Sequence, residues 1–225
     1  MRNDEVNPRD AYISGLYEDE TNLKIQSRKA AQELGLARIS VSSVEGQIIS
    51  TLLKLHQSKK CVEVGTLTGL SAQYILEAMP QGGELWTFEK SPEHATQAEK
   101  IFAQINQQAK KTHLLVGDAK VELEKINSQG PFDAIFIDGN KAAYGEYLEW
   151  AEKNLRVGGL IIADNIFLAG KVWGGEATQK FNDKQIKVMQ DFNLRLADKK
   201  FYDSAVIPTQ EGLFVAIKRL SDSKV

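Results

Sequence analysis

Lys60-Cys-Val-Glu-Val-Gly-Thr-Leu-Thr-Gly-Leu-Ser71 is the stretch that decides the fold class of this chain. Its first half, Cys61 to Val64, is a short apolar run typical of a buried strand. Gly65 and Gly69 permit a tight turn, and Thr68 or Ser71 can serve the first turn of the helix that should follow. In open α/β sheets, ligands bind at such turns, outside the carboxyl end of a strand.

The turn lacks the signatures of phosphate-binding loops. Its glycines do not follow the spacing Gly-x-Gly-x-x-Gly, and no Gly-Lys-Ser/Thr sequence comes after them. Glu63, inside the strand, would repel a pyrophosphate but would suit a ligand that is cationic or rich in hydroxyls. Short glycine motifs also occur in ordinary strand-to-helix turns, so the stretch by itself leaves both interpretations open.

The composition is that of a globular protein with one sizeable core. With 225 residues, 42% of them hydrophobic and 26% charged, the chain is predicted to form a single α/β domain over residues 1–225, with a helical segment at 1–58 packing on it. A net charge of −2 gives no reason to expect nucleic acid or an anionic membrane as a partner. The single cysteine, the lack of a signal-like stretch and the lack of a bilayer-length apolar run predict a soluble, cytoplasmic protein.

Helices are predicted ahead of the first strand. Two of them cover Asp10–Asp19 and Asn22–Leu34, and a third opens at the capping box formed by Ser42 and Glu45. Apolar runs that read as strands then alternate with helices, which predicts a doubly wound, mostly parallel sheet. The strands are predicted at Cys61–Val64, Glu84–Glu89, Thr112–Val116, Phe132–Asp138 and Leu160–Asp164. The helices between them end at Met79, begin at Ser91, and cover Ala119–Ile126 and Ala142–Leu155, with Gly158-Gly159 breaking the last.

The C-terminal third adds a long loop and a hairpin. Ile166–Asp183 has four glycines and no sustained period, so we predict a loop that acts as a lid. Trp173 within it is either an apolar anchor for this lid or a ring against which an aromatic substrate packs. A helix from Lys184 to Ala197 leads to the runs Phe201–Ile207 and Leu213–Lys218, whose close spacing predicts an antiparallel hairpin.

Acidic residues dominate the predicted carboxyl ends of the parallel strands, and these ends converge on one crevice. Each acid alone is better explained as a turn or capping residue, but their recurrence favours a ligand site. Glu89 is placed to accept hydrogen bonds from ribose hydroxyls, and Asp118 with Ala119 would border an adenine. The residues at or just beyond these ends are Gly65, Glu89, Asp118, Asp138 and Asp164-Asn165.

Asp138, Asp164 and Asn165 suggest a metal site. They offer two carboxylates and one amide oxygen, which suit a hard cation such as Mg²⁺, Mn²⁺ or Ca²⁺ rather than zinc. Lys141, three residues after Asp138, would reach the same crevice and is a candidate general base. The three histidines, His56, His94 and His113, are predicted to lie away from the strand ends and to be structural.

At these motifs the chain resembles the cation-dependent class I S-adenosylmethionine O-methyltransferases of the caffeoyl-CoA and catechol type. The motifs are Glu63 to Ser71, Phe136-Ile-Asp-Gly-Asn-Lys-Ala-Ala-Tyr144 and Ala163-Asp-Asn165, and the match runs from about Ile39 onward. The resemblance implies a seven-stranded Rossmann-like sheet whose last strand is antiparallel. It implies that Asp138, Asp164 and Asn165 hold the metal, with Lys141 and Asp138 catalytic. The implied cofactor-binding residues are Val41, Glu45, Glu63, Gly65, Thr66, Ser71, Glu89, Asp118, Ala119 and Asp138.

The resemblance also implies a catechol-like or hydroxycinnamoyl-type aromatic acceptor and a homodimer, which the amino-terminal helices would support. The chain departs from plant members at Val44, where they carry an acid, at Gly139-Asn140 in place of Ala-Asp, and in the loop Phe167–Trp173. These departures concern the acceptor and spare the predicted cofactor and metal residues.

Two other functions fit parts of the pattern. In a nicotinamide-dependent oxidoreductase Glu89 would also bind a ribose, but the glycine spacing and the Asp164-Asn165 pair argue against that class. A non-catalytic cofactor-binding protein would keep the fold, but it would have no need for the metal set together with Lys141.

Overall fold

The computed structural model describes residues 8–17, 20–105, 109–176 and 181–220. Within them, seven strands form a mixed sheet: β1 (Lys60–Val64), β2 (Gly83–Glu89), β3 (Lys110–Val116), β4 (Phe132–Ile137), β5 (Leu155–Ala163), β6 (Tyr202–Ile207) and β7 (Leu213–Lys218). Their order is β3-β2-β1-β4-β5-β7-β6. This confirms the predicted mostly parallel, seven-stranded Rossmann-like fold with its antiparallel closing strand.

Helices separate most of these strands along the chain. The α-helices are α1 (Pro8–Gly15), α2 (Asn22–Glu33), α3 (Ser43–His56), α4 (Leu70–Ala78), α5 (Pro92–Phe102), α6 (Ala119–Glu122), α7 (Tyr144–Asn154) and α8 (Asp183–Leu196). Short 3₁₀ helices cover Ala37–Ile39, Leu123–Gln129, Lys141–Ala143 and Leu168–Trp173. No helix among the described residues has both the length and the apolar character needed to cross a bilayer.

The chain divides into two compact units, the first made of residues 1–59 and 66–117 and the second of residues 60–65 and 118–225. The prediction of a single domain with an amino-terminal helical segment remains a prediction. In the first unit β2 and β3 pair in parallel from Gly83↔Lys110 to Glu89↔Val116. The capping box at the start of α3 is present as predicted, since Ser42 and Glu45 bond to each other's backbone N–H groups.

In the second unit β4 lies between β1 and β5, and all three run parallel. β4 is buried along nearly its whole length, which explains why its sequence is a continuous apolar run and not an alternating one. β7 pairs antiparallel with both β5 and β6, so the predicted hairpin closes this side of the sheet. Asp164 and Asn165 directly follow the carboxyl end of β5.

Two predicted boundaries were wrong. The first helix ends at Gly15 and not at Asp19, and residues 18–19 lie outside the described residues. The fifth strand was predicted to begin at Leu160, after a helix broken by Gly158-Gly159. It begins at Leu155 instead, so both glycines lie inside β5. Gly158 has φ +75°, and the register moves from Phe132↔Leu155 to Ala134↔Leu160, so the glycines form a bulge inside the strand.

The predicted loop Ile166–Asp183 also differs from the structure. Leu168–Trp173 forms short 3₁₀ turns on either side of a kink at Ala169 and Gly170, and Leu168 is fully buried. Backbone hydrogen bonds from Ile166 and Phe167 to Gly212 and Glu211 fix the start of the segment. This part is therefore anchored and not an open loop; residues 177–180 lie outside the described residues, and the lid remains a prediction.

Gly65 provides a test of the turn that follows β1. Its φ is +101°, and a Cβ atom there would overlap the carbonyl oxygen of Asp138. Gly65→Ala is expected to lower the free energy of unfolding by about 2–4 kcal/mol, because it adds both backbone strain and a clash with main-chain atoms. Urea unfolding followed by circular dichroism measures the change.

Gly145 is the matched control in the same unit. It lies in α7, and a Cβ atom there would meet nothing within 4 Å. Gly145→Ala is expected to leave stability unchanged or to raise it by up to about 1 kcal/mol, since alanine favours a helix interior. Equal effects of the two substitutions would show that Gly65 is not under steric constraint.

Candidate active site

Two neighbouring strands of the second unit bring most of the predicted catalytic and metal residues together. β4 and β5 are paired in parallel up to Ile137↔Ala163, so Asp138 and Asp164 leave adjacent strands at the same level. Asn140 then caps the 3₁₀ helix Lys141–Ala143 by accepting a hydrogen bond from the N–H of Ala142. This tight turn directs Lys141 back toward Asp138.

The Lys141 ammonium lies at the centre of this cluster. Its Nζ donates to Asp138 Oδ1 at 2.8 Å, to Asn165 Oδ1 at 2.5 Å and to the Tyr144 hydroxyl at 2.8 Å. The Lys141 and Asp138 side chains are each only 17% exposed. Oxygen atoms from three different residues therefore converge on one positive charge in a largely buried position.

Burial is the largest single influence on Lys141 and lowers its pKa, but the charge of Asp138, the interactions with Tyr144 and Asp164 and the hydrogen bond to Asp138 together outweigh it. The pKa of Lys141 is therefore raised above its ordinary value, and the side chain is an ammonium at neutral pH. Burial also raises the pKa of Tyr144, which keeps its hydroxyl protonated. That hydroxyl donates to the backbone oxygen of Asp164 at 2.8 Å.

Asp164 and Asn165 are held rigidly. Asp164 is 1% exposed, and its Oδ1 accepts a hydrogen bond from the N–H of Asn165 at 2.6 Å. Asn165 has φ +58°, a left-handed conformation that asparagine tolerates better than most residues. The residue type at 165 thus supplies both the amide oxygen that contacts Lys141 and the backbone turn that aims it.

The donor chemistry of Asp138, Asp164 and Asn165 fits a hard divalent cation. Two of these residues already contribute oxygens that surround a positive charge, the Lys141 ammonium. In the described part of the chain, no three or more His, Cys, Asp or Glu side chains form a group able to hold a metal. Asn165 would add its amide oxygen to the two carboxylates of Asp138 and Asp164.

The first unit contains the turn after β1 and the end of β2. Glu89 is 8% exposed, and its two carboxylate oxygens accept hydrogen bonds from the N–H of Leu67 at 2.7 Å and of Ser91 at 2.8 Å. Thr66 and Thr87 share a buried hydrogen bond between their hydroxyls. Leu67 has φ +50°, so Glu89 holds a strained residue of the turn in place.

His94 was wrongly predicted to lie away from the strand ends. Its Nδ1 is 3.4 Å from Glu89 Oε1, because Ser91 caps α5 and the first turn of the helix brings the imidazole back over the end of β2. His56 and His113 fit the structural role: His56 bonds to Ser58, and His113 stacks on Trp86 and bonds to Glu84.

The other predicted cofactor residues have defined positions in their own units. In the first unit Ser71 is buried in α4, the Val41 carbonyl accepts from Arg28, and the Glu45 carboxylate accepts two hydrogen bonds from Ser42. In the second unit Glu63 is fully buried in β1, and Asp118 caps α6 just ahead of buried Ala119. Glu45 thus already uses its carboxylate to accept the hydrogen bonds of the capping box.

Tyr144 also belongs to the site, although its sequence position predicted no role for it. It closes the Phe136–Tyr144 motif, but no role was assigned to it. Its spacing of three from Lys141 was the available signal, because residues three apart share one face of a helical turn. Trp173, by contrast, is 64% exposed and packs edge-on against Phe167 with ring centroids 5.2 Å apart, at the end of the segment that follows Asn165.

The strand order and the antiparallel β7 define the Rossmann-like methyltransferase type of α/β fold, and comparison with known proteins identifies the family. A family model described as O-methyltransferase matches residues 14–219. A catechol O-methyltransferase of Niastella koreensis is 32% identical over 209 residues, which are 92% of this chain and 92% of the relative.

Two solved O-methyltransferase structures are also similar to this chain. The O-methyltransferase TomG from Streptomyces achromogenes, involved in tomaymycin synthesis and solved in complex with SAM, superposes with a TM-score of 0.83 at 27% identity, covering 95% of this chain and 97% of TomG. An O-methyltransferase from Bacillus cereus in complex with SAH gives a TM-score of 0.81 at 25% identity, covering 93% and 97%. The chain belongs to the O-methyltransferase family, which confirms the predicted enzyme class, an S-adenosylmethionine-dependent O-methyltransferase.

Proposed function

We propose that the enzyme transfers a methyl group from S-adenosylmethionine to a hydroxyl of a catechol-like or hydroxycinnamoyl-type aromatic acceptor, assisted by a divalent cation. The observation that carries this proposal is the Lys141 ammonium among the oxygens of Asp138, Asn165 and Tyr144. The similarity to a protein named catechol O-methyltransferase supports the acceptor class.

The chemistry needs a hydroxyl oxygen that has lost its proton. In the transfer, the bond between the methyl carbon and the sulfonium sulfur breaks, its electron pair stays on sulfur, and the carbon–oxygen bond forms. A phenol is a weak nucleophile at neutral pH because its pKa is about 10. A divalent cation on Asp138, Asp164 and Asn165 would supply charge that lowers the pKa of an acceptor hydroxyl and competes with the ammonium for the same oxygens.

Lys141, in its neutral form, is proposed to take the proton that leaves the acceptor hydroxyl. Its hydrogen bonds to Asn165 and Tyr144 fix Nζ in one position, which favours proton transfer over a short, defined path. Because Asp138 raises the pKa of Lys141, sharing that carboxylate with a second positive charge would lower this pKa and so increase the fraction of neutral amine that is able to take the proton. The base and the cation are thus proposed to act together.

Glu89 is proposed to bind the cofactor ribose. Its carboxylate lies at the end of β2 and already organises the turn through Leu67, so losing it removes both a charge-assisted contact and the support of the turn. Glu89→Ala is expected to weaken binding of S-adenosylhomocysteine by ~1.5–3 kcal/mol, measured by calorimetry.

Glu84→Ala is the matched control for Glu89→Ala. Glu84 lies in the same strand near its amino end, where its carboxylate pairs with His113 at 3.0 Å. Its removal is expected to leave the dissociation constant unchanged. If Glu89→Ala bound S-adenosylhomocysteine with the wild-type dissociation constant, the assignment of Glu89 to the ribose would be wrong.

A turnover screen tests the proposed function as a whole. Catechols, hydroxycinnamoyl esters and their matching monophenols are incubated with S-adenosylmethionine, with and without Mg²⁺. The proposal expects methylation of the vicinal diols that requires the cation. A thermal-shift comparison of S-adenosylhomocysteine with NAD separates it from the oxidoreductase alternative, for which NAD would be the stabilising ligand.

Other expectations remain predictions. The homodimer is tested by sedimentation, and the cytoplasmic location by fractionation of cells that make the protein. The proposed role of Trp173 is tested by Trp173→Ala, whose effect should appear in the acceptor KM if the ring packs against an aromatic substrate.

A further inference from the structure

The buried face of α2 is mostly polar. Its buried residues are Lys24, Ser27 and Ala31, whereas a helix that packs only for stability normally buries an apolar stripe. Polar groups lose water when they are buried, so they stabilise a structure only where their hydrogen bonds are well made. The polar face of α2 therefore specifies an exact position against its neighbours.

Ser27 and Thr68 bind each other reciprocally. The Ser27 hydroxyl donates to the Thr68 carbonyl at 3.0 Å, and the Thr68 hydroxyl donates to the Ser27 carbonyl at 2.9 Å. Both residues are fully buried. The two bonds join the middle of α2 to the centre of the Thr66–Gly69 turn, and they fix both the distance and the orientation.

Gln73 adds a second link on α4. Its Nε2 donates to the Ser27 hydroxyl oxygen at 2.7 Å, and it also lies 3.2 Å from the Gly69 carbonyl and 3.4 Å from the Leu23 carbonyl. One amide group thus touches α2 and the last residue of the turn. Gln73 is itself buried, so these bonds are shielded from water.

The Thr66–Gly69 turn needs these hydrogen bonds because part of its backbone is strained. Leu67 has φ +50° and Gly69 has φ +82°, so two of its four residues are left-handed. Glu89 holds the N–H of Leu67 from one side, and the Ser27–Thr68 pair holds the next residue from α2. These restraints act on the segment that the proposed function assigns to cofactor binding.

We propose that Ser27, Thr68 and Gln73 are positioning residues that make α2 part of the cofactor site by holding the Thr66–Gly69 turn in its binding conformation. The inference rests on the proposed role of this turn and of Glu89 in binding the cofactor. Lys24 offers a comparison within the same helix, since it docks α2 on Glu77 and over the Tyr74 ring without touching the turn.

The test uses substitutions that separate the hydroxyl from general packing. Thr68→Val keeps the side-chain shape and removes the hydroxyl, whereas Thr68→Ser keeps the hydroxyl and removes a methyl group. Glu77→Gln removes the ion pair with Lys24 and weakens the docking of α2 elsewhere. For each variant, KM for S-adenosylmethionine, kcat, the Kd of S-adenosylhomocysteine and the melting temperature are measured.

Thr68→Val is expected to raise the cofactor KM and Kd about 3- to 10-fold, the effect of one lost buried hydrogen bond, with kcat at saturating cofactor within about twofold of wild type. Thr68→Ser is expected to bind nearly as wild type does. Glu77→Gln is expected to lower the melting temperature without changing the cofactor KM. A wild-type cofactor Kd in Thr68→Val, or an equal rise in KM in Glu77→Gln, would overturn the inference.

Hydrogen exchange in the ligand-free protein separates this inference from the proposed function. Thr68→Val is expected to speed exchange of the Leu67 and Gly69 amides at least about tenfold relative to Glu77→Gln, because the turn opens more often. Unchanged exchange there would overturn the positioning role. If exchange rises but wild type does not bind S-adenosylhomocysteine, the positioning role holds and the cofactor assignment fails.

Discussion

Lys141→Ala is expected to lower the turnover number about 10²- to 10⁴-fold, the range that general acid–base catalysis usually contributes, with only a small change in melting temperature. The reason lies in the cluster around Nζ, where Asp138, Asn165 and Tyr144 all receive hydrogen bonds from this one group. Because the Asp138 side chain keeps some access to water, removing Lys141 does not leave the Asp138 carboxylate as a fully buried, unpaired charge. Stopped-time methylation assays and thermal unfolding measure the two quantities.

Lys141→Arg distinguishes a base from a fixed positive charge. Arginine keeps the charge and the donors, but it stays protonated at any pH at which the protein is folded. If Lys141 accepts the proton, Lys141→Arg should be as slow as Lys141→Ala, whereas substantial activity in the arginine variant would reassign Lys141 to charge stabilisation. Lys187→Ala, which removes an exposed ion pair with Asp191 on α8, is the control and should change neither quantity.

Removal of divalent cations is expected to lower methylation at least about 100-fold, with recovery when Mg²⁺ or Mn²⁺ is added. Changing groups around a bound metal typically costs 10- to 100-fold, so loss of the metal should cost at least the upper end of that range. Asp164→Asn should mimic chelation, because it removes one carboxylate charge while its amide oxygen can still accept the hydrogen bond from the Asn165 N–H. Assays in EDTA and calorimetric titration with Mg²⁺ measure the effects.

Asp133→Asn is the control for loss of a carboxylate in the second unit. Asp133 lies toward the amino end of β4 and accepts hydrogen bonds from Lys60 and Arg156, so its neutralisation should cost stability but not cation dependence. Full activity in excess EDTA, or equal rates on a catechol and on the matching monophenol, would rule out a cation-assisted mechanism.

The fold could be predicted because most of its helices and strands have strong local sequence signals. The continuous apolar run in β4, the capping box at Ser42 and Pro92 at the start of α5 each follow from local physical preferences. The beginning of β5 could not be predicted in the same way. Gly158 and Gly159 look like helix breakers, and only the pairing with β4 turns them into a bulge.

The residues of the candidate site that follow strand ends could be predicted from the sequence. The contacts that depend on the direction of a side chain could not. Asp138, Lys141, Asp164 and Asn165 come together because β4 and β5 are paired neighbours. The contacts of Tyr144 with Lys141 and with the Asp164 backbone depend on how a short helical turn packs, which sequence spacing alone does not fix.

The position of β7 constrains the order in which the second unit is completed. During synthesis β6 emerges before β7, yet β7 lies between β5 and β6 in the sheet. A nascent chain that stops at Ile207 leaves β5 as an open edge, the kind of surface that promotes aggregation and chaperone binding. Glu211 and Gly212, just ahead of β7, also anchor the segment that follows Asn165. The segment that follows Asn165 can therefore gain these two anchoring hydrogen bonds only after translation has passed the hairpin.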